Sequence, residues 1–86
     1  MDKRSEVTIP LEFPMQLPDR KVAELTMRRP VMRDMLKFKD VGRELAADFA
    51  LIAHLCGVLP EELENADTCD YEKLQAQLLR FRGVEG

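Results

Sequence analysis

Hydrophobic and polar side chains alternate near the start of the chain. Four apolar residues take every second position: Val7, Ile9, Leu11 and Phe13. A period of two places all of them on one face of a β-strand. Pro10, in the middle, has no backbone N–H to donate and therefore suits an edge strand. The alternation predicts a first strand over residues 7–13.

A second alternating stretch covers residues 21–28, where Val22, Leu25 and Met27 are apolar. The phase slips between Val22 and Leu25, which indicates either a β-bulge or a late start of the strand. Pro14 and Pro18-Asp19 mark a turn between the two stretches. The pattern predicts a β-hairpin. Because an isolated hairpin is marginal in water, it must pack on helices or pair with another chain.

After Pro30 the apolar positions take the spacing of a helix. They are Val31, Met32, Met35 and Leu36. This predicts a short helix over about residues 30–39 with Pro30 at its first position, where a missing N–H costs nothing. The sequence Asp40-Val41-Gly42 is expected to end it.

A longer helix is predicted from about Arg43 to Cys56. It is apolar on nearly every side, which is typical of the buried centre of a small domain. Gly57 follows as a left-handed C-cap.

Two more helices are predicted in the C-terminal part. A short one begins at Pro60 and ends near Ala66, and a last one covers about residues 69–82 after a cap at Asp67 or Thr68. The last helix carries one apolar stripe, supplemented by Leu79: Tyr71, Leu74, Leu78 and Phe81. The predicted fold class is α+β, an N-terminal β-hairpin followed by three to four packed α-helices. We expect one domain over residues 1–86, with disordered tails at 1–5 and 83–86.

Length and composition restrict the function classes. A chain of 86 residues forms one modest core and leaves little room for a deep substrate cavity. With 45% hydrophobic and 34% charged residues the composition is globular. No apolar run approaches the roughly 18 residues that cross a bilayer, and no apolar region follows the basic pair Lys3-Arg4. We therefore expect a cytoplasmic protein without a signal peptide or membrane contact.

Catalytic and metal-binding patterns are not evident. His54 is the only histidine and lies in the apolar helix, where a core or boundary role is the usual one. Cys56 and Cys69 lack zinc-ligand spacing and are expected to be reduced thiols. The carboxylate pairs, Glu61/Glu62 and Asp67/Asp70, stand at helix starts, where capping explains them. The sequence predicts no enzyme, no cofactor and no metal.

Charge is distributed unevenly. The net charge is −3, but residues 20–39 hold seven basic and two acidic side chains, whereas residues 40–86 hold four basic and ten acidic ones. Such polarity can steer a partner or let copies dock head to tail, although an uneven solvated surface is the simpler interpretation. The basic segment 20–39 also raises the alternative of a small nucleic-acid-binding or regulatory module. The low pI of about 5.1 argues against duplex binding.

A family resemblance is carried by "ELTMRRP" (24–30), a strand that runs into a helix "VMRDML" (31–36). With these, "VTIPLEFP", "ALIAHLCGVLPEELENAD" and "DYEKLQAQLLRF" follow in the same order. Over about residues 6–82 the chain is similar to the tail assembly chaperone family of contractile-tailed, Mu-like phages. It differs at "PMQLPDRK", where an Asp-Gly or Asn-Gly turn is expected, which leaves the tightness of the hairpin open.

The resemblance implies a protein that binds the long tape measure protein and keeps it soluble until the tail tube forms around it. It also implies a location in the host cytoplasm and absence from the finished virion. Members are often made in a second, frameshifted form, but that signal lies in the nucleotides.

The candidate partner-binding residues surround the first helix. They are Met27, Arg28, Arg29, Met32, Arg33, Met35 and Leu36. Methionine adapts to irregular partners, and arginine stems extend apolar area while their heads pair with acids. The alternative is that these methionines fill gaps in the core. The stripe on the last helix is a second candidate surface, more typical of core, and self-association is a further possibility.

Overall fold

A computed structural model describes residues 6–38 and 44–83. In chain order it contains β1 (Glu6–Gln16), β2 (Lys21–Arg28), α1 (Met32–Lys37), α2 (Glu44–Cys56), α3 (Pro60–Leu63) and α4 (Thr68–Phe81). The predicted α+β class, a hairpin followed by helices, is confirmed. The break expected at residues 40–42 and the tails expected at 1–5 and 84–86 lie outside the described residues. Gly83 is described and follows α4 in the left-handed conformation, at φ +84°.

The hairpin closes through a two-residue turn. Leu17 N–H donates to the carbonyl of Arg20 at 2.8 Å, and Arg20 N–H donates back at 3.4 Å. Pro18 fixes the backbone angle of the first turn position, and Asp19 is a common turn residue. The turn is therefore tight although it contains no glycine.

A bulge interrupts the antiparallel pairing of β1 with β2. Pro10 pairs with Glu24 and Met15 pairs with Val22, so four residues of β1 face the single residue Ala23. The bulge predicted beside Val22 is confirmed, with the extra residues in the opposite strand.

The bulge also corrects the predicted core face of β1. Phe13 is 53% exposed, whereas Met15 is buried in its place. Strict alternation fails here because the extra residues change the side to which the strand's side chains point.

Helix α1 begins later than predicted. Val31 is its N-cap, so Pro30 precedes the helix and does not occupy its first position. The Asp34 side chain accepts the Val31 N–H at 2.9 Å and satisfies one donor of the helix start.

Helix α2 is only partly central. Four residues of its C-terminal half are fully buried: Leu51, Ile52, Ala53 and Leu55. In its N-terminal half Ala46 is exposed, and residues 47–50 are half-buried. The prediction of a helix buried on nearly every side is therefore wrong for the first half. Gly57 follows at φ +72°, as predicted for a left-handed cap.

Helices α3 and α4 begin largely as predicted. Pro60 opens α3, and Asp67 caps α4 by accepting the Cys69 N–H at 2.9 Å. Three predicted stripe residues enter the core, namely Leu74, Leu78 and Phe81, and Tyr71 packs against it. Leu79 is 41% exposed and does not supplement the stripe. None of the helices in the described ranges is long and apolar enough to cross a membrane.

Candidate partner-binding site

A polar network beneath α1 connects this helix to β2 and α2. Both terminal nitrogens of Arg28 donate to the Asp34 carboxylate at 2.8 Å. Asp34 is nearly fully buried, and His54 Nε2 lies 3.4 Å from its Oδ1. The Arg28 guanidinium holds the pKa of Asp34 well below its usual range. This carboxylate therefore links β2, α1 and α2 through one buried charge.

The opposite side of α1 is apolar and open to solvent. Met32 is 69% exposed, Leu36 57% and Val31 56%, while Met35 is half-buried between this surface and the core. Residues 32 and 36 are one helical turn apart and lie on one face, away from Asp34. We call Val31, Met32, Met35 and Leu36 the α1 surface. Single exposed apolar residues are ordinary, whereas a contiguous exposed apolar group is a feature that many binding surfaces share.

Two open grooves border the α1 surface, and Met35 and Arg82 line both of them. The first has a volume of about 620 Å³ and lies between α1 and the end of α4, where Phe81 forms one wall. The second has a volume of about 410 Å³ and lies between α1 and α2, against Phe38 and Leu51. The apolar ridge of α1 is thus accessible along both flanks.

Arg29 contacts Phe81, a lining residue of the first groove, and its charge is engaged there. Its guanidinium carbon lies 4.9 Å above the centre of the Phe81 ring, and Nη1 donates to the Phe81 carbonyl at 3.1 Å. The cation sits at the C-terminal end of α4, where positive charge is favoured.

The structure separates the predicted binding residues into distinct environments. Met27 is fully buried in the core and offers no surface to a partner in this conformation. Arg28 forms a salt bridge with Asp34. Met32 and Leu36 are exposed together, and Arg33, which follows Met32 in sequence, is also exposed. Val31, Phe81 and Arg82 were missed. Val31 belonged to the helical pattern, but nothing in the sequence relates residues 81 and 82 to residue 35.

A third groove lies on the other side of α2, between α2, α3 and α4. Its volume is about 670 Å³, and its apolar lining includes Ala46, Phe49, Ala50, Leu63, Ala66 and Tyr71. We call it the α2–α4 groove. Glu64 lines its edge, and none of the described residues that line it is basic. Burial raises the pKa of Tyr71 to about 12, so its hydroxyl stays protonated.

Asp70 is a second buried carboxylate that the sequence did not identify. It accepts the backbone N–H groups of Glu12 at 2.8 Å and Phe13 at 3.0 Å. Burial opposes its ionisation, but these two donors and Lys73 outweigh burial and lower its pKa. The expectation that Asp70 serves as a helix cap is wrong, because its carboxylate joins α4 to the β1 bulge.

His54 lies at the boundary of the core, beside Asp34 and Phe38. Its ring packs against Phe38 at 5.4 Å between centroids, which is the boundary position expected for it. Cys56 and Cys69 are free thiols. Burial raises the pKa of Cys56 to about 12, which suppresses the nucleophilic thiolate. Residues 6–38 and 44–83 contain no group of three or more side chains suited to a metal ion.

Comparison with known protein families identifies a match. The family described as "Phage tail assembly chaperone proteins, E, or 41 or 14" matches residues 8–83, most of the chain. The chain belongs to the phage tail assembly chaperone family. No curated protein and no solved structure matches it significantly.

In this tail assembly chaperone, the range that matches the family covers β1 from Thr8 onward, β2, the α1 surface and the α2–α4 groove. Membership in this family favours a non-catalytic role with protein partners in tail assembly. Among the residues that the structure describes, the α1 surface and the α2–α4 groove are two apolar surfaces next to α2.

Proposed function

We propose that this tail assembly chaperone binds the tape measure protein of a contractile-tailed, Mu-like phage through the α1 surface. It keeps that protein soluble in the host cytoplasm until the tail tube forms, and it is left out of the virion. The observation that supports the proposal best is the exposure of Val31, Met32 and Leu36 together at α1. The Arg28–Asp34 pair fastens the opposite side of this helix to β2.

The shape of the region suits a helical client. A tape measure protein is expected to be long and rich in helices, with apolar faces that aggregate before assembly. An amphipathic helix binds by laying its apolar face into a groove. The α1 surface provides a ridge with a groove on each flank, so a client helix can contact Met35 and Phe81 together. Occupying the client's apolar face lowers the free concentration of aggregating surface by mass action.

Charge around the α1 surface favours an acidic client segment. Arg33 and Lys37 are exposed on α1, and Arg82 lines both flanking grooves. Exposed ion pairs add little affinity, but complementary charge orients the encounter and selects partners. We therefore expect the bound client helix to carry Asp or Glu beside its apolar stripe.

The structure gives less support to the nucleic-acid alternative. Arg20 pairs with Asp19 and Glu62, and Arg28 pairs with Asp34. Arg29 is directed to Phe81. Three of the basic groups in segment 20–39 are thus engaged within the chain, so they do not form a free row of phosphate contacts.

The test is co-expression with the tape measure protein encoded by the same phage. We expect that protein in the soluble fraction, in complex with the chaperone, and insoluble without it. Met32→Asp with Leu36→Asp places two charges on the α1 surface and is expected to abolish the complex while circular dichroism stays unchanged.

Leu79→Asp is the matched control, since it adds a charge at an exposed leucine outside all three grooves. Full client solubility with the double variant, or an equal loss with Leu79→Asp, overturns the assignment of the α1 surface. An insoluble client in the presence of the unaltered chaperone overturns the proposed function.

A further inference from the structure

The chain carries two apolar surfaces with opposite charge at their edges. Exposed Arg33 and Lys37 flank the α1 surface. Glu64 lines the edge of the α2–α4 groove, and Glu61 and Asp67 are exposed next to its lining residues in sequence. One surface is a ridge and the other is a groove. Shape and charge therefore complement each other between two copies of the same molecule.

We infer that the α1 surface of one copy docks in the α2–α4 groove of a second copy of this chain. Methionine and leucine side chains of the ridge would cover Phe49, Ala50 and Leu63, which line the groove. Ala46 and Ala50 have small side chains on the groove wall and allow a helix to approach closely. The basic groups of the first copy then lie near the acidic edge of the second.

The two surfaces lie on different sides of α2. Ala47 and Leu51 line the groove next to α1, whereas Ala46, Phe49 and Ala50 line the α2–α4 groove. Successive helix residues are about 100° apart, so the centres of these two sets point roughly 130° apart around the helix. A copy that offers its ridge in one direction still offers its groove in the other. The contact is thus heterologous and can extend from copy to copy without closing.

The association is expected to be weak. The ridge belongs to a helix of six residues, and stable interfaces bury about 800 Å² on each partner. We expect a dissociation constant on the order of 10–1,000 µM, in the range of transient contacts. Association should weaken as salt rises, because the opposite charges lie at exposed edges where ions screen them.

One consequence rests on the proposed function: the same α1 surface cannot hold a client helix and a neighbouring groove at once. A client therefore competes with the second copy for the ridge. Self-association then shields the apolar ridge of the free chaperone until a client displaces the neighbour.

The experiment is sedimentation equilibrium of the full chain, from about 10 µM to 1 mM, in low and high salt. We expect the average mass to rise with concentration and to fall with salt. Met32→Asp blocks the ridge, and Ala46→Arg puts a basic side chain at the groove edge. Each variant alone is expected to be monomeric.

Mixing these two variants is the decisive step. The ridge-blocked molecule keeps an intact groove and the groove-blocked molecule keeps an intact ridge, so the mixture should form a one-to-one complex and nothing larger. Leu79→Asp and Glu72→Lys are controls that lie outside the grooves and should associate like the unaltered chain. If Ala46→Arg misfolds, Glu64→Lys replaces it.

A monomeric unaltered chain across this range overturns the inference. So does a mixture that stays monomeric while the unaltered chain associates. The proposed function is assessed separately, because Ala46→Arg leaves the α1 surface intact and should still solubilise the client. Client binding without self-association overturns only the docking of copies. Self-association with an insoluble client overturns only the proposed function.

Discussion

The Asp70 carboxylate in α4 accepts the backbone N–H of Glu12 in β1 at 2.8 Å, across 58 positions of sequence. It also accepts the Phe13 N–H at 3.0 Å and lies 3.3 Å from the Lys73 ammonium. The extra residues of a bulge lack ladder partners in the sheet. Asp70 supplies acceptors for two of them, and it thereby fastens the hairpin to the last helix.

Replacing Asp70 should destabilise the fold more than its size suggests. In Asp70→Asn one carboxylate oxygen becomes an NH₂ group, so one of the two part-buried N–H groups loses its acceptor. We expect the free energy of unfolding to fall by about 1–3 kcal/mol, measured by urea denaturation. Glu72→Gln is the control on the same helix, because Glu72 is exposed. Equal effects of the two substitutions would contradict this role for Asp70.

Acid should weaken the fold through both buried carboxylates. The pKa values of Asp70 and Asp34 are lowered in the folded state, against about 3.9 in an unfolded chain. Their stabilisation is therefore complete above about pH 5 and is lost as pH falls below about 4 toward the folded pKa values. Urea denaturation at a series of pH values between 6 and 2.5 should show this decline. The decline should be smaller in Asp70→Asn, and an unchanged profile would exclude a contribution from Asp70.

The Arg28–Asp34 pair should determine the order of α1. Asp34→Asn removes the charge that Arg28 binds, and we expect a loss of about 1–3 kcal/mol. Amide hydrogen exchange should accelerate in α1 more than in α4, since Asp34 also holds the helix start. Asp19→Asn is the same substitution at an exposed partner of Arg20 and should cost little. A uniform acceleration over the whole chain would mean that Asp34 serves global stability only.

The methionines should divide into core and surface by their effect on stability. Met27→Ala leaves a cavity at a fully buried site and should cost about 2–5 kcal/mol. Met32→Ala removes an exposed side chain and should change the free energy of unfolding by less than about 0.5 kcal/mol. Thermal denaturation monitored by circular dichroism distinguishes the two. Similar losses would show that Met32 packs against the body of the protein in solution.

Local patterns predicted much of the fold because the forces that create them are local. The alternation of apolar residues predicted the hairpin. Pro60 and Asp67 indicated helix starts, and Gly57 indicated a helix end. The predictions for Phe13 and Leu79 were wrong for a common reason. The side to which each residue points depends on contacts between elements that are distant in sequence. The prediction for Pro30 was wrong because Asp34 accepts the N–H of Val31, which makes Val31 the N-cap and Met32 the first helical residue.

The candidate site was predictable in part. The helical spacing of Met32, Met35 and Leu36 identified a surface helix, but the same spacing fits a core helix. Met27 is buried and Met32 is exposed, but both are methionines, so residue type could not predict which of them lies in the core. The α2–α4 groove depends on how far α3 and α4 stand from α2, a tertiary distance that no spacing in the sequence encodes.

The shortness of α1 has its own consequence for recognition. Isolated helices below about 12 residues are marginal in water, so these six residues depend on contacts with the rest of the domain, such as those of Asp34 and Met35. Such an element unfolds locally at a small cost compared with the whole domain. A local rearrangement of α1 is therefore inexpensive compared with one of the hairpin or of α4. Under the proposed function, this helix can adjust its shape to the client helix that it meets.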